Sequence, residues 1–355
     1  MSNKIKVLIV DDSALMRKLL SVILSSDPEI EIVGTAINGV FALQKIPLLN
    51  PDVVTLDIEM PQINGIETLK KIMTDFPRPV VMISSFTAEG TKSTFKALEL
   101  GAVDFIAKPE SIYSEGLDDI KKNIIHTIKS AFYSKSIQKT QKIVKTKIID
   151  SMKFEKTEKI QYIVSIGIST GGPDALKRIL PLIPKNVPAS FVIVQHMPVG
   201  FTKAFAERMN SLSEITIKEA EEGDILKPGT GFIARGDRHL VVTQKNNVFM
   251  THLKKTEKVS GFMPSIDVLM ESVSKLKTQK IGVIMTGMAR DGVNGITMIK
   301  QNKGITIAQD KKSSIVFGMN RLAIESGNVD YVLPLENIVP KILEIIRGKN
   351  EKSKN

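Results

Sequence analysis

The chain contains no cysteine, which excludes disulfide staples, thiol nucleophiles and Cys-ligated zinc. It has no tryptophan, and aromatic residues make up only 5% of it, so its basic stretches have little interleaving of rings. Its four histidines show no metal-ligand spacing. No window approaches the roughly 18 uninterrupted apolar residues that a membrane-spanning helix needs. Residues Met1 to Val7 run straight into an apolar strand pattern without a signal-peptide core. These absences predict a soluble, cytoplasmic protein with no membrane insertion.

What is present is ample apolar content, 42% over 355 residues, and the length suggests two domains. The net charge of +11 raises the question of nucleic acid. Much of the excess sits between Lys121 and Lys159, and from Ser134 to Lys159 the chain is rich in Lys, Thr, Ser and Gln with no sustained apolar period. A solvated, flexible linker is the expectation there, and no nucleic-acid partner.

The first half reads as alternating strands and helices. Ile5–Val10, Glu31–Thr35, Asp52–Leu56, Pro79–Ile83 and Val103–Ile106 have strand patterns, each followed by a helical period, the last at Leu117–Tyr133. Five βα units predict a parallel sheet with helices on both faces. Ligands of such sheets bind beyond the strand C-termini, where Asp11, Asp12, Asp57, Ser84 and Lys108 collect. Three carboxylates make a hard oxygen site suited to Mg²⁺. A carboxylate can attack phosphorus to give an acyl phosphate, with a cation steadying the transferring oxygens.

On these residues, the segment from 4 to about 125 resembles the receiver domains of two-component response regulators. The resemblance implies that Asp57 is phosphorylated. It implies that Asp11, Asp12, Asp57 and the backbone carbonyl of Glu59 hold Mg²⁺, and that Lys108, before Pro109, contacts the phosphoryl group. Ser84 falls on the hydroxyl switch position. Phe105 fits the aromatic switch position, although plain core packing would also explain it.

The second half opens on a buried strand pattern, Tyr162–Ile168, running into Gly167-Ile168-Ser169-Thr170-Gly171. This fits G-x-S-x-G, a sharp strand-to-helix turn that lifts a hydroxyl above a sheet edge. An ordinary turn or a phosphate loop would use the same residues. Further strands end at His196 and just before the loop holding Asp291, and short strands between Thr216 and His252 suggest a β-rich insertion or edge. Taken singly, His196 could be a core or capping residue and Asp291-Gly292 a plain turn. Together Ser169, His196 and Asp291 are the parts of an acyl-transfer triad, brought to strand ends that can share one crevice. Their order, Ser…His…Asp, differs from the Ser…Asp…His of ordinary α/β-hydrolases. His126 is expected to be exposed, and His239 and His252 to be structural.

With both halves read, the chain resembles the chemotaxis protein-glutamate methylesterase/glutamine deamidase family. The motifs that carry this are Ile166 to Gly172, Gln195-His196-Met197-Pro198-Val199-Gly200-Phe201-Thr202 and Thr286-Gly287-Met288-Ala289-Arg290-Asp291-Gly292. The implied architecture is a receiver (1–125), a basic linker (126–159) and a catalytic domain (160–350), the last a Rossmann-like doubly wound sheet with a short β-hairpin insertion. The implied roles are Ser169 as nucleophile, His196 as base and Asp291 as orienting acid, with the backbone amides of Thr170 and Met288 as oxyanion donors. The implied partners are methylated chemoreceptors as substrate and a chemotaxis histidine kinase as phosphodonor; a monomer is expected, with no cofactor in the catalytic domain. Four positions depart from the family pattern: Ala289 where Gly is usual, Ile168 where Ala is common, Phe262-Met263 where a His-Arg pair often stands, and Arg235 in place of a frequent Pro. Rival readings are a non-enzymatic response regulator and a serine hydrolase of another substrate class.

Overall fold

The computed structural model describes residues 4–85, 87–108, 117–134, 154–246 and 248–352. The backbone divides into two units, Met1–Thr140 and Gln141–Asn355. The linker expected over 126–159 lies largely outside the described residues, as does Pro109.

In the first unit, β1 (Ile5–Val10), β2 (Ile30–Ala36), β3 (Val53–Asp57), β4 (Val80–Ser84) and β5 (Asp104–Ala107) form a sheet of order β2-β1-β3-β4-β5. Every pairing in it is parallel. The central strands are apolar on both faces because helices cover both, which is why they read as continuous apolar runs. The helices are α1 (Ala14–Ser25), α2 (Gly39–Leu49), α3 (Gly65–Asp75), α4 (Ala88–Glu99) and α5 (Leu117–Tyr133). Ser13, Asn38, Asn64 and Thr87 each accept a backbone N–H as N-cap, so four of the five helices start on a side-chain oxygen beside the same sheet edge. The expected boundary at 125/126 falls inside α5, which continues to Tyr133. There His126 is half-buried, not exposed as expected, because the amphipathic period of α5 turns that part of the helix toward the sheet.

The second unit begins with β6 (Tyr162–Ile168), α6 (Gly172–Ile179), β7 (Ala189–Gln195) and α7 (Phe201–Leu212). Then come the short strands β8 (Thr216–Glu219) and β9 (Thr230–Ile233), and the pair β10 (His239–Lys245) and β11 (Val248–Lys254). The chain ends with α8 (Ile266–Ser274), β12 (Gln279–Ile284), α9 (Val293–Gln301), β13 (Ile305–Gln309), α10 (Met319–Glu325), β14 (Tyr331–Leu333) and α11 (Leu335–Lys352). Seven strands form one sheet of order β14-β13-β12-β6-β7-β9-β8. All its pairings are parallel. Only β10 and β11 stand apart, as an antiparallel hairpin. β8 and β9 therefore belong to the main sheet, with β9 between β7 and β8 and β8 at the edge.

This order positions the site. From β6 the chain winds outward through β7, then returns to the opposite side of β6 with β12. The winding reverses at β6, and a crevice opens at the C-terminal ends of strands where such a reversal occurs. The core beneath includes Val192, Val194, Ile266, Leu269, Ile284 and Met319, each buried. Complete burial of one such side chain contributes roughly 1.5–3 kcal/mol. Among the described residues no helix is long and apolar enough to cross a membrane.

Candidate functional site

Each unit gathers polar side chains at the C-terminal edge of its sheet. In the first, Asp11 and Asp57 are buried, Asp12 is exposed, and their carboxylate oxygens lie within 4.8 Å of one another. Lys108 Nζ is 2.8 Å from Asp57 Oδ2 and 3.7 Å from Asp11 Oδ2. Burial pushes the Asp57 carboxyl up to about 6 against the pull of Lys108, and the Asp11 charge adds to the rise. Burial likewise raises Asp11, despite Lys108. Asp11 Oδ2 has no hydrogen-bond partner. An all-oxygen set with an unpaired buried acceptor and excess negative charge fits a hard divalent cation such as Mg²⁺. The Glu59 amide donates to Asp57 Oδ1 at 3.3 Å, which turns the peptide after β3 over the cluster.

Ser84 ends β4, and its hydroxyl is engaged with α4. It donates to the Gly90 carbonyl at 3.2 Å and accepts from Thr94 Oγ1 at 2.7 Å. Phe105 lies on β5, 6% exposed, beside Met82 of β4. The Lys108 amide donates to the Ser84 carbonyl at 2.7 Å, so β4 and β5 carry these three side chains on adjacent ends.

In the second unit Ser169, His196 and Asp291 follow β6, β7 and β12, the three central strands of the sheet. Ser169 emerges from β6 with its amide bonded to the Thr286 carbonyl at 3.0 Å. Gly171 takes φ +79° to turn the chain into α6, a conformation that L side chains resist. At Gly172 an added Cβ would lie 1.8 Å from Gln195 Oε1. The glycines thus admit the Gln195 amide, whose Nε2 donates to the Ser169 carbonyl at 3.1 Å and the His196 carbonyl at 3.0 Å. One side chain ties both loops together. The Thr170 amide has no hydrogen-bond partner among the described residues, and its carbonyl accepts from Thr286 Oγ1 at 3.0 Å. Met288 lies two residues beyond Thr286 in the facing loop, which is braced where the Gly287 amide donates to the Val316 carbonyl.

His196 Nε2 is 2.9 Å from Asp291 Oδ2. A carboxylate only accepts, so this nitrogen carries the proton and Nδ1 keeps the lone pair. Nδ1 is buried without a hydrogen-bond partner, so Ser169 sits on the neighbouring strand end but beyond bonding reach of it. Such contacts commonly tighten only when substrate is bound. Phe262 stacks on the imidazole, with ring centroids 4.0 Å apart and planes 4° from parallel. Asp291 is wholly buried. It accepts from Ser265 Oγ (2.7 Å), the Ile266 amide (2.7 Å) and the Asp267 amide (3.0 Å) at the start of α8. Burial alone would raise this carboxyl; the His196 bond and those amides hold it below the ordinary carboxylate range. It therefore faces the imidazole as a carboxylate anion.

Sequence reading reaches Ser169, His196 and Asp291 but not what holds them. Ser265 and Asp267 are legible only as a helix start, Gln195 only as a strand end, and Phe262 only as a departure from the family pattern. His239, buried, accepts from the Ser265 amide at 3.1 Å through Nδ1 and lies 3.0 Å from the Glu257 carbonyl through Nε2. His252 lies on the surface of the hairpin, against Glu222 at 2.6 Å. Arg235 pairs with Asp237 at 2.7 Å.

A family model described as CheB methylesterase matches residues 164–342, and one described as the response regulator receiver domain matches residues 7–114. The protein-glutamate methylesterase/protein-glutamine glutaminase of Pyrococcus horikoshii is 46% identical, covering 98% of this chain and 96% of its own. The protein of that name from Halalkalibacterium halodurans is also 46% identical, over 97% of this chain and 99% of its own. Among solved structures, the catalytic domain of Thermotoga maritima CheB methylesterase superposes with a TM-score of 0.51 at 46% identity. It covers 52% of this chain and 97% of that one.

Proposed function

The chain belongs to the CheB methylesterase family, and from that membership we propose that it hydrolyses glutamate methyl esters, and deamidates glutamines, on chemoreceptors, under control of its receiver domain. Ser169 Oγ attacks the ester carbonyl while His196 Nδ1 takes its proton. Asp291 keeps the other proton on Nε2 and steadies the imidazolium. The amides of Thr170 and Met288 receive the developing oxyanion, where loss of one donor typically costs about 10²–10³ in rate. The leaving methoxide takes the proton from His196 and departs as methanol, or ammonia departs from a glutamine. Water then attacks the acyl-enzyme with the same base, which restores Ser169 and frees the glutamate.

The observation that supports this reading best is the ionised, fourfold-bonded Asp291 on His196 Nε2, with Nδ1 left open on the strand end beside Ser169. The decisive experiment is methanol release from methylated receptor membranes. Ser169→Ala should lower turnover by at least about 10³-fold while the thermal melt is unchanged. A wild-type chain that folds and releases no methanol would refute the substrate assignment.

At the other sheet edge, Asp57 is the phosphoacceptor, with a chemotaxis histidine kinase as donor. Asp11, Asp12, Asp57 and the Glu59 carbonyl would hold Mg²⁺, which neutralises charge on the transferring phosphoryl oxygens when bound. Lys108 pairs with the product oxygens. The Ser84 hydroxyl leaves Thr94 and Gly90 to reach the phosphoryl group, and Phe105 follows it.

A further inference from the structure

The N-termini of α8 and α9 meet beneath the crevice, and each lacks part of its own cap. The N-cap of α9 is Gly292, at φ +97°, which has no side chain to offer. Its first-turn amides are satisfied from the other helix: Asp267 Oδ1 accepts from Gly292 N at 2.9 Å and from Gly295 N at 2.7 Å. In return the α8 amides of Ile266 and Asp267 donate to Asp291, the residue just before Gly292. Two carboxylates thus cross over, each capping the helix that follows the other. The exchange is close-packed. A Cβ at Gly295 would lie 2.6 Å from Met270 Cβ and 3.3 Å from Asp267 Cα, and one at Gly292 would lie 2.8 Å from Ile266 Cγ2.

The geometry points to Asp267 as the positioning residue of the triad. Its carboxylate holds the amide of the peptide that joins Asp291 to Gly292, and so fixes the direction in which Asp291 leaves the chain toward His196 Nε2. Among the described residues Asp267 makes no hydrogen bond or ion pair to His196 or Ser169; it acts through Asp291. Without it the buried amides of Gly292 and Gly295 lose their acceptor. Reorientation of the Asp291–Gly295 turn is the cheapest relief, and a displacement of about 1 Å at a catalytic group can cost on the order of 10² in rate. This inference deepens the triad reading above and rests on it.

The test uses the full chain with ¹⁵N-labelled histidine, of which there are only four residues. His196 should show its proton on Nε2 and an unprotonated Nδ1, a signal assigned by its loss in His196→Asn. In folded Asp267→Ala the Nε2 proton signal should move or broaden as the Asp291 bond loosens, and kcat should fall roughly 10- to 100-fold with KM within about twofold. Asp267→Asn, which keeps an oxygen for both amides, should recover most of both. If Asp267→Ala does not fold, Asp267→Glu, with its carboxylate displaced by one methylene, should show the same loss. The inference is overturned if the folded Ala or Glu variant keeps the His196 signal and turnover, or if the Asn variant behaves like Ala. The imidazole signal needs no substrate. A shifted signal in a chain that releases no methanol would sink the substrate assignment and leave the positioning role standing. Methanol release by wild type and the Ala variant alike would do the reverse.

Discussion

Ala289 is where this chain asks a residue to do what glycine does more cheaply. It stands at φ +95° between Met288 and Arg290, in the loop facing Ser169. A Cβ in that region costs on the order of 1–3 kcal/mol, part of which is offset because Ala restricts the unfolded chain more than Gly does. Ala289→Gly should therefore stabilise the catalytic unit by about 1 kcal/mol and raise its melting temperature by roughly 2–4 °C in calorimetry. A lower melting temperature would show that the surroundings relieve the strain. Asp267 carries a pH dependence of its own. Burial, with the nearby Asp291 charge adding, pushes its carboxyl up to about 6, above the ordinary aspartate value near 3.8. A raised carboxyl binds its proton more tightly folded than unfolded, so its contribution to stability is lost as pH rises through that window. The unfolding free energy of Asp267→Asn should thus gain on wild type by roughly 1.5 kcal/mol between pH 5 and pH 8. A pH-independent difference would mean that Asp267 titrates normally. The chemistry-bearing residues were readable in the sequence because each follows a strand pattern and together they make up the parts of one chemistry. Their partners were not, since Ser265 and Asp267 bond to Asp291 across 26 and 24 residues of chain, a distance no local pattern spans.

At the scale of elements, α8 is the piece through which the site is held, and both its ends are clamped by charge. Asp291 sits at its N-terminus. At its C-terminus Lys280, 8% exposed, donates from Nζ to the Ser274 carbonyl at 2.7 Å and the Leu276 carbonyl at 2.8 Å. An anion at the start and a cation at the end both complement the helix dipole. Lys280→Met keeps the length and apolar stem of the side chain but leaves two buried carbonyls unpaired. It should destabilise the catalytic unit by about 2–3 kcal/mol in chemical denaturation; a loss under about 0.5 kcal/mol would mean that water replaces the ammonium. The strand pattern at Tyr162–Ile168 matches β6 end to end because a buried parallel strand is one unbroken apolar run. β8 and β9 were legible as short strands, but the sequence left open whether they form an insertion or an edge. Strands of four residues carry no sign of their partner: β9 pairs with β7, far back along the chain, and β8 with β9. α10, seven residues long, escaped altogether. It is held from outside, where the Met319 amide donates to the Gly287 carbonyl and the Met319 sulfur fills the space beside Gly287.

For the whole molecule, the two sheets offer two chemically distinct edges: on the proposed function, one would accept a phosphoryl group and the other would split an ester. A single chain carrying both has reason to couple them, and the coupling must be a free energy between two states of the same polypeptide. In the unphosphorylated receiver the Ser84 hydroxyl is spent on Gly90 and Thr94, and Lys108 on Asp57. A phosphoryl group at Asp57 would compete for both, and so would bias β4, β5 and α4 toward another arrangement. If that arrangement governs access to Ser169, a small phosphodonor with Mg²⁺ should raise methanol release by roughly 5- to 150-fold, the usual range of such coupling. Asp57→Asn should abolish the increase and leave the unphosphorylated rate in place. The segment 155–355, cut free of the receiver, should run faster than the unphosphorylated full chain without any phosphodonor. A segment no faster than that chain would mean that the receiver does not restrain the site, and the gain on phosphorylation would then have to come from activation of Ser169 itself.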